Sequence, residues 1–108
     1  MKKFDGDYKL LEDMYGDELF PNFLVDKVKA LVQEVICFLE TGERDLEKIQ
    51  HKFDEMTLAI NDLQEEFEEN DSEIETVARD SIGETVEYIL KWFEIDIDVE
   101  DAIGERDW

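Results

Sequence analysis

The sequence contains one cysteine, one histidine and one proline among its 108 residues. A lone cysteine has no partner for an intramolecular disulfide, and a buried thiol of this kind is typical of a reducing cytosol. We expect Cys37 to be buried within an apolar helix. With His51 as the only histidine, the paired Glu-x-x-His ligands of di-iron bundles are excluded, and we expect His51 to be an exposed surface residue.

Cations are also scarce. Eleven lysines and arginines face 32 acids, and the formal net charge at pH 7 is −21. This balance argues against direct binding to nucleic-acid backbones and to anionic membranes, because both are polyanions. It favours a cationic protein partner. The alternative is that the acidic excess serves only solubility.

Long apolar runs are absent, since none approaches the roughly 20 residues of a membrane span. The N-terminal lysines Lys2 and Lys3 are followed by Asp5 and Asp7 rather than by an apolar stretch, which does not fit a signal peptide. We therefore expect a cytoplasmic protein. Apolar and acidic residues alternate, as is typical of a strand, only from Ile95 to Val99. Because one strand cannot form a sheet, we do not expect a β-sheet.

What is present is helical periodicity, strongest in a central apolar helix predicted over Pro21–Glu40. Its apolar residues cover so much of the surface that other helices must surround it. Those residues are Phe23, Leu24, Val25, Val28, Leu31, Val32, Val35, Ile36, Cys37, Phe38 and Leu39. Pro21 suits a first turn, and Gly42 is a natural stop.

A second long helix is predicted over Asp45–Glu69, with Asp45 as its N-cap and Asn70 near its end. Its apolar seam has an unbroken 3-4 spacing. The seam consists of Leu46, Ile49, Phe53, Met56, Ile60, Leu63 and Phe67. A seam this narrow predicts an antiparallel hairpin with the central helix.

The remaining segments predict shorter helices. Asp7–Tyr15 is expected to be a first helix capped by Asp7. Ser72 and Glu75 have capping-box spacing, and the helix that follows is expected to kink or divide near Gly83. We expect a short helix over Asp98–Ile103.

Together these elements predict a compact all-α bundle of about four to six helices in one domain, residues 1–108. Residues 95–108, the C-terminal segment, are expected to be an acidic extension of that domain.

No catalytic or metal-binding motif is apparent, so we expect neither enzymatic activity nor a cofactor or metal. Counting a calcium loop from Asp96 places Asp101 and Asp107 where an EF-hand needs Gly and Glu. A glycosidase-type pair of carboxylates would need a pocket that keeps one of the two acids protonated. A small enzyme that uses such buried carboxylates is the alternative to a binding protein.

One face of the second long helix carries a row of acids opposite the apolar seam. We call this row, with the isolated leucine among it, the acidic ridge. It consists of Glu47, Asp54, Glu55, Leu58, Asp62, Glu65, Glu68 and Glu69. Like charges three and four residues apart destabilise a helix, and acids near its C-terminus oppose the dipole. A surface that helix stability disfavours is a candidate binding site, although a merely solvated face is the alternative.

Aromatic residues near the C-terminus are candidate anchors for a partner. They are Tyr88, Trp92, Phe93 and Trp108. We expect Phe93 to lie in the core and Trp108 to be less buried.

Two stretches, LLEDMYGDELFPNFLVDKVKALV and NDSEIETVARDSIGETVEYI, resemble a family of small acidic bacterial proteins of uncharacterised function. The resemblance spans Leu10 to about Ile89. It implies a bacterial source and a compact helical domain, with no catalytic residues. The C-terminal segment is expected to extend beyond the family's core, and Arg79 in the second motif is expected to form a structural ion pair.

Small size, acidity and the ridge predict an immunity protein that neutralises a basic toxin, in particular a nuclease, by covering its cationic surface. This hypothesis rests on analogy of size and charge. The alternative is an acidic nucleic-acid mimic or adaptor that binds a DNA-binding protein.

Overall fold

The computed structural model describes residues 2–108, and those residues contain five α-helices and no strand. The helices are α1 (Glu12–Tyr15), α2 (Asn22–Glu40), α3 (Leu46–Glu69), α4 (Thr76–Trp92) and α5 (Val99–Ala102). The prediction of an all-α bundle is confirmed. None of these helices is both long and apolar enough to cross a membrane.

Helices α2 and α3 form the antiparallel hairpin that the apolar spacing predicts. The Lys27 ammonium, near the start of α2, lies 2.7 Å from the Glu66 carboxylate near the end of α3. At the opposite end, the Lys52 ammonium lies over the Phe38 ring. The connection is short because Gly42 adopts a left-handed φ of 90°, a conformation that glycine accepts without steric cost.

The ends of α3 are also as predicted. The Asp45 carboxylate accepts hydrogen bonds from the amides of Glu47 (3.0 Å) and Lys48 (3.4 Å), which satisfies two of the unpaired donors of the first turn. Asn70 is the C-cap.

The core lies between the hairpin on one side and α1, α4 and α5 on the other. The fully buried apolar side chains of the long helices are Leu24, Val25, Val28, Val32, Ile49, Phe53, Ile60, Phe67, Ala78, Ile82, Val86 and Ile89. One seam residue departs from the expectation, because Leu46 at the first turn of α3 is 45% exposed.

The prediction that Cys37 is buried is wrong, because its side chain is exposed. The helical period places Cys37 on the row of Ala30, Gln33 and Glu34, and all three are exposed. Helix α2 is therefore apolar around much of its circumference but is not surrounded on every side.

The N-terminal helix is shorter than predicted. Only Glu12–Tyr15 is helical, and Leu11 before it has a left-handed φ of 57°, which stops a right-handed helix from extending further back. Asp7 caps nothing; its amide instead donates to the Asp5 carboxylate at 2.9 Å.

Aromatic contacts hold residues 4–8 against α4. Tyr8 stacks on Tyr88 with ring centroids 4.1 Å apart, and Phe4 stacks on Phe93 at 6.1 Å. Such contacts between distant segments override the local helical pattern.

The predicted capping box at Ser72 is also wrong. Asp71 has a φ of 56°, the Ser72 amide donates to the Phe67 carbonyl at 2.8 Å, and the Asp71 amide donates to the Glu68 carbonyl at 3.1 Å. These two bonds form a Schellman motif that closes α3, so Ser72 ends one helix rather than starting the next.

Helix α4 is continuous through the predicted interruption. It runs from Thr76 to Trp92 without a break at Gly83, and a Cβ at Gly83 would meet no atom within 4 Å. Glycine inside a helix costs only about 1 kcal/mol relative to alanine, and burial of Ser81, Ile82 and Thr85 holds the helix together there.

The C-terminal segment is docked on the bundle. Asp98 caps α5 through the Glu100 amide at 2.9 Å, close to the predicted short helix. Ala102 and Ile103 are buried in the core.

Candidate functional site

The acidic ridge occupies the outward face of α3, where the helical period places it opposite the buried seam. Seven of its eight residues are exposed, and Asp54 is half-buried. Leu58 is 50% exposed in the middle of the ridge. A single exposed leucine among acids provides an apolar contact point within an anionic strip.

The charge of the ridge is compensated unevenly. Glu55, near its start, lies 3.1 Å from His51 Nε2 and 3.6 Å from the Lys52 ammonium. Asp54 accepts a hydrogen bond from Gln50 Nε2 at 2.9 Å.

The acids of the second half of the ridge have no basic group within 4.0 Å among residues 2–108. They are Asp62, Glu65, Glu68 and Glu69. The last turn of α3 contains no basic residue, so its carbonyl dipole adds to the negative potential there.

Two boundaries define the width of the ridge. On one side, the Lys27–Glu66 ion pair marks the contact with α2. On the other side, Asn61 Nδ2 donates to the Glu105 carbonyl at 2.9 Å, and Gln50 Nε2 donates to the Asp101 carbonyl at 2.9 Å. The ridge is thus an open strip between α2 and the docked C-terminal segment.

The docked segment widens the anionic surface at the start of α3. A groove of about 540 Å³ separates it from that helix. Its lining residues are Leu46, Glu47, Gln50, His51, Asp54, Asp96, Ile97, Asp98 and Asp101. Five of these are acids, three of them from the C-terminal segment.

The sequence prediction of the site missed the acids of the C-terminal segment. Their density was visible in the sequence, but their position beside α3 depends on hydrogen bonds from Gln50 and Asn61, more than 40 residues away along the chain. Spacing along one helix carries no information about such a contact.

The candidate aromatic anchors do not join the ridge. Phe93 is buried as predicted, and Tyr88 and Trp92 pack on Phe4 of the N-terminal segment. Tyr88 donates a 2.6 Å hydrogen bond to Asp5, which lowers the pKa of Asp5 and raises the pKa of Tyr88. Trp108 is half-buried against the core, more buried than the sequence indicated.

Two further predictions concern single residues. His51 is exposed, as predicted. The ion pair expected for Arg79 is wrong, because no carboxylate of residues 2–108 lies within 4.0 Å of its guanidinium. The same part of the chain contains no group of three His, Cys, Asp or Glu side chains arranged to hold a metal ion.

Fold and surface thus define a small acidic helical protein with an open anionic strip. The chain belongs to the family of unknown function DUF5713, whose profile matches residues 4–108. The match includes the C-terminal segment, so the expectation that this segment extends beyond the family's core is wrong. No curated protein and no solved structure matches the sequence significantly.

Proposed function

We propose that this protein acts by binding, as an immunity protein that neutralises a basic toxin by covering its cationic surface. The observation that carries the proposal is the exposed acidic ridge, with four uncompensated acids in its second half. The partner we propose is a nuclease domain, because a nuclease must present cationic groups to hold phosphates. An anionic strip of fixed geometry is chemically complementary to such a surface.

The charge distribution supports a role in recognition. A formal net charge of −21 accelerates encounter with a basic protein through long-range attraction. Complementary charge at the contact then selects the partner and fixes its orientation. Leu58, exposed within the ridge, supplies apolar area that is buried only when a partner covers α3.

The repulsion among the acids of the ridge also supports a binding role. Asp62, Glu65 and Glu69 repel one another at spacings of three and four residues, and they lie toward the negative end of the helix dipole. Helix stability alone favours lysine at several of these exposed positions. A partner that neutralises the acids would offset this cost on binding.

We further propose that the protein acts in the bacterial cytoplasm, where an inhibitor of this kind meets a toxin before the toxin is released. The single cysteine fits a reducing compartment, and an exposed thiol at Cys37 would remain reduced there.

The test is affinity capture from a lysate of the source organism at low and at moderate salt. Tagged wild-type protein is compared with the ridge variant Asp62→Asn/Glu65→Gln/Glu69→Gln. The matched control is Glu18→Gln/Glu73→Gln/Glu84→Gln, three exposed acids outside the ridge. Both triple variants change the formal net charge from −21 to −18.

An immunity protein should retain one dominant basic partner at moderate salt, and only the ridge variant should lose it. Capture of many unrelated DNA-binding proteins would favour the nucleic-acid mimic or adaptor instead. If raised salt releases every captured protein, and both triple variants behave alike, the charge is generic and the proposal is wrong.

A further inference from the structure

A groove lies at the C-terminal end of α3, where the acidic ridge ends and the chain turns toward α4. Its volume is about 370 Å³, within the roughly 300–1,000 Å³ of small-molecule sites. Leu19 and Phe20 supply its apolar surface, and Ser72 is its one uncharged polar residue. We call it the α3-end groove.

Every charged residue that lines the α3-end groove is an acid. The four acids are Glu68, Asp71, Glu73 and Glu75; all are exposed, and none has a basic group within 4.0 Å among residues 2–108. The last turn of α3 also lacks a basic residue, so the negative end of the helix dipole adds to the potential of the acids. The groove therefore favours a cationic ligand.

The hydroxyl of Ser72 is a second, independent indication of a ligand. Ser72 lines the groove and is only 5% exposed, yet its Oγ has no hydrogen-bond partner among residues 2–108. Buried polar groups are normally hydrogen-bonded, and an unpartnered one requires an explanation. A serine hydroxyl can accept a hydrogen bond from an ammonium group, and rotation about its Cα–Cβ bond can turn it toward a ligand in the groove.

The arrangement of the acids favours an extended cation over a compact one. Residues 2–108 contain no three acids placed close enough together to hold a metal ion, so the four acids suit positive charges that are spread along a chain. The apolar surface of the groove suits the uncharged segments between those charges, because Leu19 is 61% exposed there and its burial would be favourable.

We propose that the α3-end groove binds a linear polyamine. Its ammonium groups lie against the acids, one of them donates to Ser72 Oγ, and its methylene segments pack against Leu19. Charge-assisted hydrogen bonds provide the attraction, and burial of apolar area adds to it. The site does not depend on the partner binding proposed above: it shares only Glu68 with the acidic ridge, and the ridge variant leaves Glu68 unchanged.

The test is calorimetric titration of the protein with spermidine at physiological ionic strength, where attraction between distant surface charges is largely screened. Hexaamminecobalt(III) is the comparison probe, since it is trivalent like spermidine but compact. Spermidine should bind saturably at one site, and more tightly than hexaamminecobalt(III). The amide NMR signals of Leu19, Ser72 and Glu75 should shift on binding, while those in the middle of α2 should not.

Two variants remove groups that we assign to the polyamine. Glu73→Gln/Glu75→Gln should weaken spermidine binding roughly tenfold, because charge-assisted contacts are lost. Ser72→Ala should weaken it several-fold without lowering the melting temperature, since the hydroxyl has no partner in the free protein. The control Glu34→Gln/Glu84→Gln replaces two exposed glutamates elsewhere and gives the same formal net charge of −19, two charges above −21. It should bind spermidine like wild type.

The proposal fails if Glu73→Gln/Glu75→Gln and the control lose affinity equally, because the attraction is then generic. Tighter binding of hexaamminecobalt(III) would overturn it as well, since charge density rather than a chain of separated ammonium groups would then decide binding. Wild-type affinity in Ser72→Ala, or no saturable heat with spermidine, would mean that the groove is not a polyamine site.

Discussion

Asn61 of α3 and Asp107 near the C-terminus are joined by a hydrogen bond of 3.1 Å from the Asp107 amide to the Asn61 side-chain oxygen. The Asn61 side-chain amide donates in turn to the Glu105 carbonyl at 2.9 Å. One asparagine thus binds two backbone groups of the C-terminal segment, at Glu105 and Asp107, and holds that segment beside the acidic ridge. The boundary of the proposed binding surface depends on this residue.

Replacement of Asn61 by alanine should loosen the C-terminal segment without unfolding the bundle. Two hydrogen bonds are lost, each worth about 1 kcal/mol. Amide hydrogen exchange should quicken at residues 103–107 and stay unchanged in the middle of α2. The control Asn22→Ala removes an exposed asparagine at the start of α2; if it produced the same exchange pattern, the Asn61 contacts would not hold the segment.

Helix α4 ends in a conformation that its sequence does not favour. Glu94 has a left-handed φ of 56°, while the Arg44 guanidinium donates to the carbonyls of Phe93 (2.7 Å) and Glu94 (3.0 Å). Replacement by glycine removes a steric cost of about 1 kcal/mol. Thermal unfolding of Glu94→Gly should therefore occur about 4 °C above wild type.

The control for that substitution is Glu94→Ala, which removes the same charge but keeps a Cβ in the left-handed conformation. Its melting temperature should stay near or below that of wild type. An equal rise in both variants would mean that lost repulsion, rather than relieved backbone strain, stabilises the protein.

The acidic ridge should be a stability cost in the unbound protein. The variant Asp62→Asn/Glu65→Gln/Glu69→Gln removes several like-charge pairs, each worth a few tenths of a kcal/mol, and should raise the free energy of unfolding by about 1 kcal/mol at low salt. Urea denaturation at low and high salt measures this. The gain should shrink at high salt, where the charges of the wild type are screened; a loss of stability would show that the ridge stabilises the fold.

Tyr15 should ionise at unusually high pH. Burial, reinforced by a hydrogen bond to Asp26 and by that carboxylate's charge, raises the pKa of Tyr15 from 10.0 to about 12. The neutral phenol is therefore favoured in the folded state. Its contribution to stability is complete below about pH 10 and is lost as the pH rises toward about 12.

Ultraviolet titration of phenolate absorbance measures this pKa. The variant Tyr15→Phe lacks the Tyr15 phenol, so the difference between its titration curve and that of wild type identifies the Tyr15 signal among the three tyrosines. In Asp26→Asn the pKa of Tyr15 should fall only part of the way, because burial remains. A complete return to 10.0 would assign the whole shift to Asp26, and no change would show that the charge of the Asp26 carboxylate does not contribute.

The hairpin of α2 and α3 could be predicted from sequence because its determinants are local. Apolar spacing defines the buried face, while Asp45 and Gly42 mark the connection. The N-terminal segment could not be predicted in the same way, because the left-handed Leu11 and the stacking of Tyr8 on Tyr88 reflect contacts with a distant helix.

Ser72 shows how one spacing permits two structures. Ser-x-x-Glu is typical of a helix start, yet here the Ser72 amide closes the helix before it. In the candidate site, the residues of the acidic ridge could be predicted directly from the helical spacing of α3. The acids that the C-terminal segment adds at Asp96, Asp98 and Asp101 required the tertiary contact with α3 to be known.

The most direct test of the proposed function is inhibition of the captured partner. A basic nuclease recovered with wild-type protein is titrated with wild type, with the ridge variant Asp62→Asn/Glu65→Gln/Glu69→Gln and with the control Glu18→Gln/Glu73→Gln/Glu84→Gln. Our account predicts stoichiometric inhibition by wild type and control, and inhibition at least tenfold weaker by the ridge variant, since each lost charge contact contributes to affinity. Equal inhibition by all three proteins would contradict a binding role for the ridge.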